Sequence, residues 1–439
     1  MKRVAVLGAG VTGLTAARSL QAAGHAPVIF EAGARIGGYM ASDNVDGWRF
    51  EQGPNTLAAD VKTVDTLTAL GVADRLVEAS SASSKRFLVK DGKPVALAMG
   101  PGIFASPLFS AGAKLAIVKE PFRTKRDPAQ GDESVADFVR RRLGDEWLAR
   151  AVGPFISGVY AGDPERLSLR WALPRMFELE QTYGSLIKAA AKLGSVGAKK
   201  LYSTATGLGG LADGLAAGLA DVRLNTAVTA VRPAGAGWLV ATAGGEEPFD
   251  AVIATLGPRA TAELFAGLVP ELAAALRKVA MPPVWVVHHG YRRAALEHAV
   301  DGFGMLIPRV ENLLTLGTLF PSSMFAGRAP EGHVLLSSFL GGRLHENLGN
   351  LPAGEIERKV LDEHRALLGI HEPPVFLKSI LWKNAITQYE IGHGKLQELW
   401  SAAEAQHANL FLRGNFTGGV ALGDRIAAGA AAAKQAAGA

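Results

Sequence analysis

Gly8-Ala9-Gly10-Val11-Thr12-Gly13 is spaced to hold a pyrophosphate. Gly8 permits a tight turn, Gly10 lets the backbone approach the phosphates, and Gly13 lets a helix pack closely on a strand. The N–H groups of Val11, Thr12 and their neighbours, together with the positive end of the helix dipole, supply the anion site. With 52 glycines in the 439-residue chain, chance matches are easy, so the context decides. The motif follows the strand-like run at 3–7 (RVAVL), opens a helix over 14–23, and leads to a strand at 27–30. Glu31 closes that strand about 20 residues beyond the glycines, where a carboxylate accepts hydrogen bonds from ribose hydroxyls and disfavours a 2′-phosphate. These residues alone admit NAD as well as a flavin dinucleotide.

A second cradle lies near the other end of the chain. Gly414-Asn415, then Gly418-Gly419-Val420-Ala421, separate a strand at 409–413 from an alanine-rich helix starting near 420. Two cradles so far apart are better explained by one long cofactor than by coincidence. Other chemistry is poorly represented. The chain has no cysteine, which excludes disulfides, thiolate metal sites, a cysteinyl-flavin link and a cysteine nucleophile. No HExxH, no Ser/His/Asp spacing and no paired acids stand in a convincing context. His288-His289 sits in an apolar strand, so one ring must face the opposite side from the other, and neither reads as a ligand. His371 and His393 have no persuasive company.

The elements that must position these residues follow from periodicity. Apolar spacing is mostly helical over 60–80 and 113–194, broken by Pro101, Pro107, Pro121 and Pro154. After Leu211 come strand candidates at 222–232, 237–242 and 249–254, helical segments, then strands near 284–291, 303–307, 315–319 and 333–339. A helix at 353–368 and a strand at 375–381 precede the last strand and helix. Alternating strands of this kind make a floor for a flat substrate. The formal charge of +5 favours anionic partners, but the basic runs 124–126 and 140–142 lack interleaved aromatics and read as solvated helix faces, which argues against nucleic acid. No signal peptide and no spanning helix is expected, so the expected place is cytoplasmic.

Glu31-Ala32-Gly33-Ala34-Arg35-Ile36-Gly37-Gly38 resembles the arginine and double-glycine segment of the flavin amine oxidase superfamily, and the segment 250–257 (DAVIATLG, with Thr255) resembles its strand and turn near the cofactor. This likeness implies non-covalent FAD, with Val228 pairing its backbone with adenine and the late glycine turn completing the site. Gly53-Pro54-Asn55-Thr56 after Trp48-Arg49-Phe50-Glu51 resembles the protoporphyrinogen oxidase family more narrowly, as do Lys85-Arg86-Phe87, Pro154-Phe155-Ile156-Ser157-Gly158, Gly302-Phe303-Gly304-Met305-Leu306, Leu316-Gly317-Thr318-Leu319-Phe320 and Phe339-Leu340-Gly341-Gly342. The likeness runs in order over essentially the whole chain. It implies that Arg86 pairs with a substrate propionate and that Phe303, Leu306, Leu319 and Phe339 clamp a macrocycle. It also places Asn55 and Trp382 at the flavin, and the Gly158 carbonyl toward pyrrole N–H groups. Ala161, where relatives often carry glycine, and Thr387, where some carry proline, depart from the pattern.

The implied fold is α/β and α+β. An FAD-binding Rossmann-like domain spans 1–80, 205–260 and 405–439, a mixed-sheet substrate domain 81–97 and 261–404, and an inserted helical, membrane-facing domain 98–204. The implied activity is oxidation of protoporphyrinogen IX by dioxygen in haem biosynthesis, with coproporphyrinogen III oxidase as the alternative and another flavin amine oxidase or a desaturase as the second. The implied place is the inner face of the cytoplasmic membrane, with product handed to the next haem-pathway enzyme and a homodimer left open. Ile103-Phe104, Leu108-Phe109 and Leu115-Ala116-Ile117, flanked by Lys114 and Lys119, are the docking candidates.

Overall fold

The computed structural model describes residues 1–98, 100–193 and 199–438; Met99, the 194–198 part of the expected helical insert and Ala439 lie outside them. The strand Arg3–Leu7 forms the middle of a five-stranded parallel sheet, in the order Val222–Arg223, Ala26–Phe30, Arg3–Leu7, Ala251–Ala254, Leu410–Leu412. Its strands are nearly continuous apolar runs because both faces are covered. Val4, Val6, Ile29 and Ile253 pack with the helices Val11–Ala22 and Leu422–Ala437. Ala5, Leu7, Val28 and Val252 pack on the other side with Leu272, Leu396 and Trp238.

The alanine-rich tail owes its composition to close packing: a Cβ on Gly429 would lie 2.4 Å from the Thr12 carbonyl, and Ala432, Ala433 and Ala436 are buried. Only small residues let these two helices approach so nearly.

A second sheet has seven strands, in the order Phe376–Trp382, Val284–Arg292, His333–Gly341, Thr315–Leu319, Gly304–Leu306, Arg86–Lys90, Lys93–Ala96. It is antiparallel except where Gly304–Leu306 pairs with Arg86–Lys90. The helix Ala353–Leu368, within the bounds read from its periodicity, closes one face over Met305, Leu336 and Val287.

The inserted region is helical from Ala111–Lys119 to Leu186–Leu193. Two expectations fail here. The 140–142 run is not a solvated face throughout: Arg142 is wholly buried with Glu120, and Arg141 binds Glu133 at 2.9 Å and Glu180 at 2.7 Å. A guanidinium can enter a core only when carboxylates accompany it, and the acids that do so are remote in sequence. Leu108 and Phe109 are also buried, Phe109 stacking on Trp147 at 4.0 Å, so they belong to the insert's own core and not to a docking face.

The expected strand 222–232 is two elements. The chain leaves the parallel sheet after Arg223, turns at Asn225 (φ 51°), and enters the antiparallel strand Val228–Ala234. The expected strand 249–254 likewise begins at Ala251, because Gly245–Phe249 already serves as an edge strand of that meander.

Candidate functional site

Both glycine turns leave the carboxyl ends of strands of the parallel sheet, one on each side of Ala251–Ala254, where ligands of open α/β sheets bind. Gly8 follows Arg3–Leu7, Glu31 follows Ala26–Phe30, Thr255 follows Ala251–Ala254, and Gly414 follows Leu410–Leu412. The sequence-distant turns thus emerge together at one edge, and Leu256 joins them: its side chain is 3.5 Å from a Cβ placed on Gly8, its carbonyl 2.3 Å from one on Gly414.

The first turn needs its glycines for different reasons. Gly8 adopts φ 100°, and a Cβ on Gly13 would fall 2.0 Å from the Gly8 carbonyl, whereas one on Gly10 meets nothing within 4 Å. Gly10 therefore presents bare backbone to open space at the start of Val11–Ala22, whose N-cap carries no side-chain hydrogen bond. The Glu31 carboxylate is fixed at the edge of this turn, accepting from the Ala9 N–H at 2.8 Å and the Gly33 N–H at 2.7 Å. A carboxylate has about four acceptor positions, so two remain for hydroxyl groups. Gly37 bridges to Gly10 and Gly38 lies over it, while Ala32 and Arg35 stay exposed along the rim. Thr255 is used internally, its hydroxyl donating to the Leu7 carbonyl at 2.9 Å. Val228 opens its strand close to Glu31, whose carbonyl accepts from the Thr226 N–H.

In the second turn the N–H groups of Val420 and Ala421 bind no partner among the described residues, and Asn415 Oδ1 is buried without one. Unpaired donors at a helix start, a bare-backbone turn and an acidic strand end fit the phosphates and ribose of a dinucleotide. Gly53-Pro54-Asn55-Thr56 adjoins this region: a Cβ on Gly53 would sit 2.4 Å from the Tyr39 carbonyl, Asn55 Nδ2 donates to the Gly53 carbonyl, and Trp382 Nε1 donates to the Gln52 carbonyl at 2.6 Å. Tyr39, overlooked in the sequence, meets Trp382 in a tilted ring contact, 4.9 Å between centroids.

Register shows what spacing could not. Residues opposite each other in a ladder share a face, as do those two apart on one strand. Leu306, Gly317, Phe339, Val286 and Ile380 form one cross-sheet row, and Arg86, Gly304, Leu319, Ser337 and His288 the next. Arg86, Leu306, Leu319 and Phe339 therefore share one face. One end of it is covered by the strand Trp48–Glu51, with Phe50 against His288 at 4.7 Å; the other is met by the helix Gly153–Tyr160, where a Cβ on Gly158 would fall 2.3 Å from Leu306 Cδ2. Between them Leu306, Leu319 and Phe339 stay half-exposed while their strand neighbours are buried. Phe339 clusters with Trp382 and Ala161.

Arg86 is exposed, its guanidinium 5.3 Å from the centre of the Phe303 ring, and no carboxylate pairs with it among the described residues. Its neighbour Lys85 is neutralised by Asp301 at 2.8 Å. Gly158 lies in the last turn of its helix, where carbonyls lack intrahelical donors and the dipole is negative. Pro154, which cannot donate, follows the π-turn Leu148–Val152 that sets this helix end.

The histidines divide as alternation requires. His288 faces the site but is sealed under Phe50, bonded to Ser337 Oγ at 2.8 Å, and burial holds its pKa down at about 3. His289 faces the opposite side. His393 does have company: it stacks on Tyr389 at 4.2 Å and bonds Gln397 at 2.8 Å.

The profile of the flavin containing amine oxidoreductases matches residues 11–437. Protoporphyrinogen oxidase 2, chloroplastic/mitochondrial, of Arabidopsis thaliana is 30% identical over 98% of this chain and 93% of its own length. Coproporphyrinogen III oxidase of Bacillus subtilis (strain 168) is 27% identical over 99% and 98%. Among solved structures, an Exiguobacterium sp. 255-15 protein superposes with a TM-score of 0.83 at 22% identity, covering 99% of this chain and 98% of that one, which supports the fold. The chain belongs to the protoporphyrinogen oxidase family of the flavin containing amine oxidoreductases.

Proposed function

We propose that the protein oxidises protoporphyrinogen IX to protoporphyrin IX, using non-covalent FAD and dioxygen. The observation that carries this reading is the single sheet face bearing Arg86, Leu306, Leu319 and Phe339, bounded by the strand Trp48–Glu51 and by the helix end holding Gly158. When bound, the flavin accepts two electrons and passes them to dioxygen, and three such rounds remove the six electrons that separate porphyrinogen from porphyrin.

Half-exposed leucine and phenylalanine side chains bury a flat apolar macrocycle and hold it rigidly, which supplies the orientation that the oxidation needs. Arg86 presents a planar fork to a propionate, and with no ion pair to it among the described residues it is available. The Gly158 carbonyl accepts a hydrogen bond from a pyrrole N–H, and the departing protons pass to water. No strong base is required of the protein. The boundaries 1–80, 205–260 and 405–439 for the flavin domain, 81–97 and 261–404 for the substrate domain, and 98–204 for the insert are proposed on the same ground. A membrane surface is the proposed location, through apolar side chains on the insert; no helix among the described residues is long and apolar enough to cross one.

Coproporphyrinogen is the second reading, on the strength of the Bacillus relative. Lys85, held by Asp301, speaks for a substrate with fewer carboxylates. The test follows porphyrin fluorescence and oxygen uptake with each porphyrinogen. A higher kcat/KM for protoporphyrinogen, lowered about tenfold or more in Arg86→Ala mainly through KM, is expected, since a charge-assisted hydrogen bond contributes about 1.5–3 kcal/mol. Preference for coproporphyrinogen would exchange the substrate, and turnover of neither would overturn the reading.

A further inference from the structure

We infer that Tyr389 is a positioning residue for the flavin, acting through the turn between strand Leu410–Leu412 and helix Leu422–Ala437; the inference rests on the flavin reading above. The turn is held from two sides. From within, the buried Arg425 donates to the carbonyls of Gly414 at 2.7 Å, Gly418 at 3.0 Å, and Thr417. From outside, one phenol spans it: Tyr389 Oη donates to the Asn415 carbonyl at 2.7 Å and accepts from the Gly419 N–H at 3.0 Å.

That phenol is itself braced. Its ring is buried and lies nearly parallel to His393, 20° between planes. Gln397, one helical turn beyond His393, donates to His393 Nε2 and to the Phe416 carbonyl, both at 2.8 Å. Segment 389–397 therefore grips the turn at residues 415, 416 and 419. Burial raises the phenol pKa to about 12, so the group keeps its proton and its donor role at neutral pH.

Gly419 adopts φ 100°, and Val420 and Ala421, which follow it, carry the unpaired N–H groups. By satisfying the Gly419 N–H, Tyr389 fixes the direction in which the next two donors point. Oriented donors of this kind favour added negative charge, so their alignment bears more on the reduced cofactor than on the oxidised one. Loss of the hydroxyl frees the turn on its outer side while Arg425 keeps it folded.

The experiment uses the purified holoenzyme and its FAD-stripped, reconstituted form, comparing wild type with Tyr389→Phe. FAD affinity is read by flavin fluorescence titration and the two-electron potential by dye equilibration. The expected result is about tenfold weaker FAD binding and a potential about 30 mV more negative, the equivalent of a tenfold loss of preference for the reduced form. The KM for porphyrinogen stays unchanged. Gln397→Leu, which removes the Phe416 contact and leaves the phenol, shifts the potential less and in the same direction. Unchanged potential and affinity in Tyr389→Phe overturn the inference, as does an unchanged potential in Gln397→Leu should the first variant fail to fold. A wild-type protein that takes up no FAD overturns the cofactor reading itself, which the titration separates from a silent Tyr389 variant.

Discussion

At Gly158 the missing side chain is what gives Leu306 its place, because an added methyl would collide with Leu306 Cδ2 at 2.3 Å. The colliding atom is the end of a flexible side chain, so in Gly158→Ala Leu306 swings into the half-exposed face and not into the core. The porphyrinogen KM is expected to rise about tenfold with little change in melting temperature, and Leu306→Val in the same chain should recover most of it; a KM unmoved by Gly158→Ala would separate this residue from the substrate. Ala161, three residues on, has φ 49° at the end of the same helix. A left-handed alanine costs about 1–2 kcal/mol, part of which glycine returns to the unfolded chain. Ala161→Gly should therefore raise the urea midpoint by the equivalent of about 0.5–1 kcal/mol. The sequence flagged this position as a departure, but only the backbone angle gives the departure a sign.

The two faces of the seven-stranded sheet differ in what they tolerate. Behind the site, His289 bonds Ser338 at 2.9 Å, Ser338 bonds Thr318 at 3.0 Å, and Thr318 bonds His364 Nε2 at 2.6 Å, while His364 Nδ1 donates to the Val360 carbonyl. Burial lowers the pKa of His364 to about 4, that of His288 to about 3, and that of His289 as well. These rings are neutral when folded and titrate near 6.5 when unfolded, so below that pH the unfolded chain holds more protons. Their contribution is complete above about pH 6.5 and drains as pH falls toward 4, by roughly 2 kcal/mol for each of His288 and His364 at pH 5. Urea unfolding at pH 8 and pH 5 measures this; equal stability at both would refute it, and His364→Gln should flatten the slope.

Legibility at the scale of elements followed the strength of local periodicity. Ala353–Leu368 could be bounded because Ile356, Val360, Leu367 and Leu368 mark one face of a polar helix. His393–Gln406 went unread although Leu396, Leu399, Trp400 and Ala403 show the same spacing, because its start is hidden between two glycines. The strand Trp48–Glu51 was visible only as part of a family motif, since its buried Glu51 is balanced by Arg328 at 2.8 Å, far along the chain. The residues of the site were named by resemblance, and their common face came from strand register, which no single segment carries.

For the whole molecule, the inserted region presents Phe104, Leu115, Val118 and Phe122 to solvent, Phe122 at 86% exposure, beside Lys114, Lys119 and Arg123. Such a mixture of exposed apolar side chains and cations suits the headgroup boundary of acidic lipid. Co-sedimentation with vesicles containing anionic lipid should fall in Phe122→Ser/Leu115→Ser and at high salt, while turnover of detergent-dispersed substrate persists; equal sedimentation of both proteins would remove this face from the account. The five-stranded sheet has a different consequence. Its middle strand is Arg3–Leu7, yet the neighbour of Ala251–Ala254 on the outer side is not made until Leu410–Leu412. During synthesis, then, the first four strands wait on the ribosome with an unpaired edge at Ala251–Ala254 and half a cradle, open to wrong partners until Leu410–Leu412 is made. Chaperone demand and cofactor loading should both be late events, timed by the arrival of the last strand, and a nascent chain stalled before residue 410 should retain no flavin.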